Sequence, residues 1–202
     1  MKQLLFKIGN AIILSSLLCI LFVSCKNESG AEDPKPVLSW KSSLPDVSKR
    51  QTIDASEIYA WYEGKLNISV DGKIYGPYTE EVCADNARLP GKILFESKKT
   101  QYDKKMHNVT IRFSFDNIDI TAKDGGKMLV FTGKGGKAFL SMMGGTEQAM
   151  GDNTSVAGAF YKQNGKIYIT YTVTYNTGDM KKVIPQIPHN SLSGTMEKAE
   201  KQ

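Results

Sequence analysis

Side chains that commit a protein to a particular chemistry are scarce in this chain. Its 202 residues include two histidines, His107 and His189, and neither has a cysteine or a second histidine at metal-ligand spacing. That excludes the common structural zinc motifs, and no metal or other cofactor is expected. No Ser-His-Asp arrangement or nucleophile elbow is visible, so the chain reads as non-enzymatic. Cysteine is almost as rare, with only Cys19, Cys25 and Cys83. Cys19 lies in an apolar leader, and if Cys25 at its end is also unavailable for pairing, Cys83 is left without an intramolecular partner. The folded part must then be held by its core, and an unpaired thiol of this kind is expected to be buried and inert.

Charge of one sign is also lacking. The formal net charge is +5, from 26 Lys and Arg against 21 Asp and Glu. Loss of residues 1–24 would remove Lys2 and Lys7 and lower it by two. The remaining basic residues are dispersed, which argues against a nucleic-acid partner. Long hydrophobic runs are limited to one, Ala11 to Val23. A helix of that length reaches only about 20 Å, short of the ~30 Å hydrocarbon core, so it reads as the apolar region of a signal peptide behind Lys2 and Lys7.

That run ends in Phe22-Val23-Ser24-Cys25, which resembles a bacterial lipobox, with Phe22 in place of the commoner Leu. The resemblance implies cleavage before Cys25 and acylation there. Two or three acyl chains, at ~0.8 kcal/mol per buried CH₂, anchor a protein firmly in a membrane. Lys26-Asn27-Glu28-Ser29-Gly30-Ala31-Glu32-Asp33 follows and looks like the charged export tag of surface lipoproteins in the Bacteroides group. The expected address is therefore the outer membrane, lipid-anchored, with outward display as the reading and a periplasm-facing lipoprotein as its alternative. Pro34, Pro36, Pro45 and the surrounding polar residues suggest that 25–55 is a flexible tether, which Trp40 could pin to the domain.

What the chain does have is period-two patterning. Asn164-Gly165 lies between two β-rich runs, and both residues tolerate the positive φ that a type I′ hairpin turn requires. The second run puts Ile167, Ile169, Tyr171, Val173 and Tyr175 on one face and Tyr168, Thr170, Thr172 and Thr174 on the other. Tyr62, Leu66, Ile68 and Val70 alternate likewise, with Gly64 marking a bulge or bend and Asp71-Gly72 a second hairpin turn. Val109, Ile111, Phe113 and Phe115 form the clearest inward face. Gly76-Pro77 reads as a strand break, Thr79 as the cap of a single helical turn, and Gly133 to Gly136 as a further turn. Lys182-Val183-Ile184 reads as a last strand and 188–202 as a disordered tail.

Eight to ten short strands with almost no helix fit a sandwich or a barrel. Short turns throughout favour an antiparallel meander that closes into a roughly eight-stranded barrel, since closure removes the edge strands. The stretch Tyr62 to Gly72, the run Val109 to Phe113 and the Asn-Gly hairpin resemble the calycin-like (lipocalin-like) lipoproteins of the Bacteroides group over residues 56–187. That resemblance implies an eight-stranded barrel, in some members with an interior cavity, and supplies no catalytic motif.

Two further motifs carry little chemistry. Gly133-Lys134-Gly135-Gly136-Lys137 lacks the spacing and following helix of a phosphate-binding loop. Glu80, Glu81 and Asp85 would need to converge in a cleft to do acid–base work. The aromatic residues carry more weight. If the barrel holds a small apolar ligand or lipid, Phe113, Phe115, Met142 and Tyr171 are the expected lining. The alternative is a filled barrel serving as a structural or protein-interaction module for an envelope partner.

Overall fold

The computed structural model describes residues 38–106, 108–142, 144–178 and 191–202. The leader, Cys25, His107, Met143, His189 and the strand expected at 182–184 lie outside the described residues. Ten strands follow in order: β1 (Ala60–Val70), β2 (Lys73–Asn86), β3 (Lys92–Ser97), β4 (Thr100–Gln101), β5 (Val109–Lys123), β6 (Met128–Met142), β7 (Gln148–Ala149), β8 (Thr154–Gln163), β9 (Lys166–Tyr175) and β10 (Leu192–Lys201). Eight of them form a closed antiparallel barrel, and the two-residue strands β4 and β7 lie against β5 and β6. Neighbours in the barrel are neighbours in the chain, and β10 closes the ring by pairing with both β9 and β1. This is the expected meander.

The turn chemistry explains the register. Asp71 and Gly72 (φ 47° and 80°) and Asn164 and Gly165 (φ 53° and 75°) take the two positive φ values of tight hairpins. The inward faces are those the alternation indicates. Tyr62, Leu66, Ile68 and Val70 from β1 meet Val109, Ile111, Phe113 and Phe115 from β5 and Ile167, Ile169, Tyr171, Val173 and Tyr175 from β9 in one core. Gly64 does mark an irregularity, a register shift against β10.

Four expectations fail. First, no strand break or helical turn occurs at 76–87. β2 runs through it, with Glu80, Val82 and Ala84 buried and their neighbours outward. Pro77 is tolerated because the β1–β2 register shifts there, between the pairs Leu66–Tyr78 and Ile68–Tyr75, so no ladder donor is required of it. Second, Gly133 to Gly136 is not a turn but a bulge within β6, where the register against β8 shifts. A Cβ on Gly136 would stand 2.2 Å from the Phe115 ring, so glycine is what lets the ring fill the barrel there.

Third, the expected tail forms β10 from Leu192 onward, with Leu192, Gly194, Met196 and Ala199 facing inward. Its exposed residues, Glu197 and Lys198, are charged, and a register shift between Met196 and Ala199 breaks the alternation that would have revealed it. Fourth, 38–55 is packed rather than free. Trp40 N–H donates to Thr172 Oγ1 (3.2 Å) and Thr170 Oγ1 to the Trp40 carbonyl (3.1 Å). Arg50 is buried, with Nη1 on Asp124 Oδ2 (2.7 Å) and Nε on the Pro45 carbonyl (2.9 Å).

Candidate functional site

The interior at mid-height is filled by rings. Phe95 contacts Phe113, Phe131 and Tyr171 with centroids 5.6, 5.2 and 5.3 Å apart, and Phe113 contacts Phe115 and Tyr171 at 5.8 and 6.0 Å. Such tilted and edge-on pairs are each worth roughly 1 kcal/mol beyond simple burial. A Cβ on Gly158 would stand 2.5 Å from the Phe131 ring and one on Gly64 2.6 Å from the Met196 sulfur, so these walls also press against the core. Of the four residues expected to line a ligand cavity, Phe113, Phe115 and Tyr171 are brought together inside the core, where they pack on one another. Met142 is half-buried, near the end of the barrel where β6 finishes, and packs against the core from there.

Between this aromatic layer and that same end lies a polar cluster that sequence reasoning did not assemble. Glu80 points inward from β2 and is 2% exposed. Its carboxyl receives the Tyr171 hydroxyl on one oxygen and Thr100 Oγ1 on the other (3.3 Å). Burial pushes its pKa up from 4.5 to about 7, against the two hydrogen bonds that favour the ionised form. Burial, reinforced by the nearby Glu80 carboxyl, pushes the phenols of Tyr171, Tyr102 and Tyr175 well above their ordinary value. The buried hydroxyls of Tyr102 and Tyr175 face each other closely enough to interact as donor and acceptor, but not at regular hydrogen-bond geometry, and neither has another partner among the described residues.

The other carboxylates of that stretch are elsewhere. Glu81 faces outward and pairs with Lys98, and Asp85 is exposed on the outer side. The sheet therefore separates Glu80 from Glu81 and Asp85, and the three do not converge. The signal that could have found Glu80 is the alternation Glu80, Val82, Ala84, concealed because its first inward member is charged.

The remaining features are on the outside. Cys83 is a free, half-buried thiol on β2. Burial, then the nearby Asp85 and Glu96 carboxylates, raises its pKa and so lowers its reactivity. A cleft of 370 Å³ runs beside Trp40, bordered by Lys134, Val156, Thr172 and Thr174. A second, of 360 Å³, shares Lys134 and opens where β5 and β6 part, next to Asp116 and Asp119. Arg112 holds Glu147 through two bonds of 2.9 and 2.7 Å and lies 3.9 Å over the Phe139 ring. No group of three or more His, Cys, Asp or Glu able to hold a metal occurs among the described residues. Comparison with protein-family models, curated proteins and solved structures gives no significant match.

Proposed function

We propose that this chain is a lipoprotein, cleaved before Cys25 and acylated there, that holds a filled β-barrel at the outer membrane as a platform for another envelope protein. The anchoring rests on the lipobox-like Phe22-Val23-Ser24-Cys25 at the end of the only long apolar run. The observation that carries the platform reading is the packing of the barrel interior. Phe113, Phe115 and Tyr171 make ring contacts of 5.8 and 6.0 Å, where a carrier of an apolar ligand or lipid would need open space between them. Among the described residues the exposed large apolar side chains are Val47, Trp61, Ile74 and Leu89, so the proposed partner surface is mixed in character. The clefts that meet at Lys134 are its best-shaped part.

Intact-mass spectrometry of the protein extracted gently from its own membranes reads both halves of the proposal. The expected result is a chain that starts at an acylated Cys25 and carries no apolar guest. An unmodified Cys25 overturns the anchoring. A stoichiometric apolar molecule retained by the barrel replaces the platform with a carrier.

A further inference from the structure

We propose that Glu80 is a proton-binding site, and that its proton governs how firmly residues 100–106 close one end of the barrel. Glu80 joins three pieces of the fold. It belongs to β2, it receives the Tyr171 hydroxyl from β9, and it receives Thr100 from the start of the 100–106 segment. That segment is seated by Tyr102, whose ring lies 4.8 Å from that of Tyr78, and by the buried Met106. Among the described residues the groups that bear on Glu80 are Tyr171 and Tyr175 from β9 and Thr100 and Tyr102 from the segment. Asp103, at the outer edge, holds the Tyr78 hydroxyl at 3.1 Å. None of these is a cation.

Among the described residues a carboxylate here has no counter-charge, so the neutral acid is the form the site accommodates, in keeping with a pKa raised to about 7. Loss of the proton leaves a desolvated anion that must draw in water. The wall that yields is the one held least. β9 is laddered along both sides, to β8 and to β10. β4 pairs only Thr100 with Ile111 and Gln101 with Thr110, and Tyr102 N–H adds one bond to the Val109 carbonyl (2.9 Å). Local opening takes the route with the fewest ladder bonds to break. Displacing 100–106 gives water to Glu80 and also to the hydroxyls of Tyr102 and Tyr175, which among the described residues lack a regular hydrogen bond.

Hydrogen exchange read by mass spectrometry on the whole folded protein, corrected for the intrinsic pH dependence of exchange, tests this between pH 5.5 and 8.5. Protection of 100–106 should fall by about tenfold or more, since each unit of pKa shift corresponds to about a tenfold change in an opening equilibrium. The β8–β9 hairpin should not change. In Glu80→Gln the segment should be equally protected at both pH values. If that variant does not fold, Thr100→Val should loosen the segment at pH 5.5 to the level the parent shows at pH 8.5. Equal protection of the parent at both pH values overturns the proposal, as does a pH response that survives in Glu80→Gln. So does a response lost in His107→Gln, because it would belong to that histidine, or one spread evenly over the whole barrel.

Discussion

At the end of the barrel where β1 begins, the turn Ala55–Ile58 presses a fully buried Ile58 into the core, and no buried side-chain nitrogen or oxygen beside it lacks a partner among the described residues. Tyr62 OH donates to the Ile58 carbonyl at 2.6 Å. Asp54 and Glu57 form a capping box, and Glu57 also pairs with Lys162. At the end where β1 finishes, the barrel is entered instead by Glu80, Tyr102 and Tyr175, and among the described residues the two buried tyrosine hydroxyls have no partner at regular hydrogen-bond geometry. At one end the bond from Tyr62 persists because burial raises the phenol's pKa further and keeps its proton on, whereas the other is closed by a carboxyl whose fit depends on its ionisation. The first is suited to permanence and the second to response.

The sharpest way to break the permanent end is Ile58→Ala, which empties a fully buried site. It should cost about 2–5 kcal/mol in urea unfolding. A loss under about 1 kcal/mol would mean that the turn is not part of the core.

At the responsive end the sign follows from the direction of the shift. The folded protein holds a proton on Glu80 up to about pH 7, whereas the unfolded chain releases it near 4.5. Glu80 therefore contributes its full stability below pH 4.5, loses it progressively between 4.5 and about 7, and changes little above. The loss is about 3 kcal/mol, from ~1.4 kcal/mol per unit. Asp54, Glu57 and Glu147 are shifted downward and act in the opposite direction below the ordinary carboxylate range. The quantity to measure is thus the difference between the parent and Glu80→Gln across pH 4.5 to 8. Parallel stability curves would show that the carboxyl is not buried as an acid.

Arg50→Ala tests how the segment preceding β1 is held to the barrel wall. It removes the bonds to Asp124 and to the Pro45 carbonyl and should cost about 1.5–3 kcal/mol, less as salt rises because Asp124 is partly exposed. Tyr102→Phe should have the smallest effect, within about 1 kcal/mol of the parent, because among the described residues the hydroxyl it deletes faces only that of Tyr175, without regular hydrogen-bond geometry. A clear destabilisation would mean that this hydroxyl is satisfied in solution.

Strands with a uniform inward face were legible. β1, the first half of β5, and β9 show their alternation directly, and Asp71-Gly72 and Asn164-Gly165 fix two turns by backbone preference alone. β2 was obscured because its inward set includes a carboxylate, and β10 because a register shift interrupts it at the charged, exposed pair Glu197 and Lys198. The bulge in β6 looked like a turn because the same glycines serve both. Of the four candidate lining residues, the pattern placed three on inward faces, yet nothing in it distinguishes a ring that borders a cavity from one that fills it.

Local chemistry along the chain therefore determined the strand period, two of the turns and the antiparallel class, because each depends on a residue and its near neighbours. Only the closed structure decided the rest. Whether the interior is full depends on rings arriving from β3, β5, β6 and β9 at one height. Whether Glu80 is an acid or a surface charge depends on Tyr171, 91 residues away, reaching it from the opposite wall. Contacts at that separation are set by closure of the ring, and a one-residue change of register would undo them.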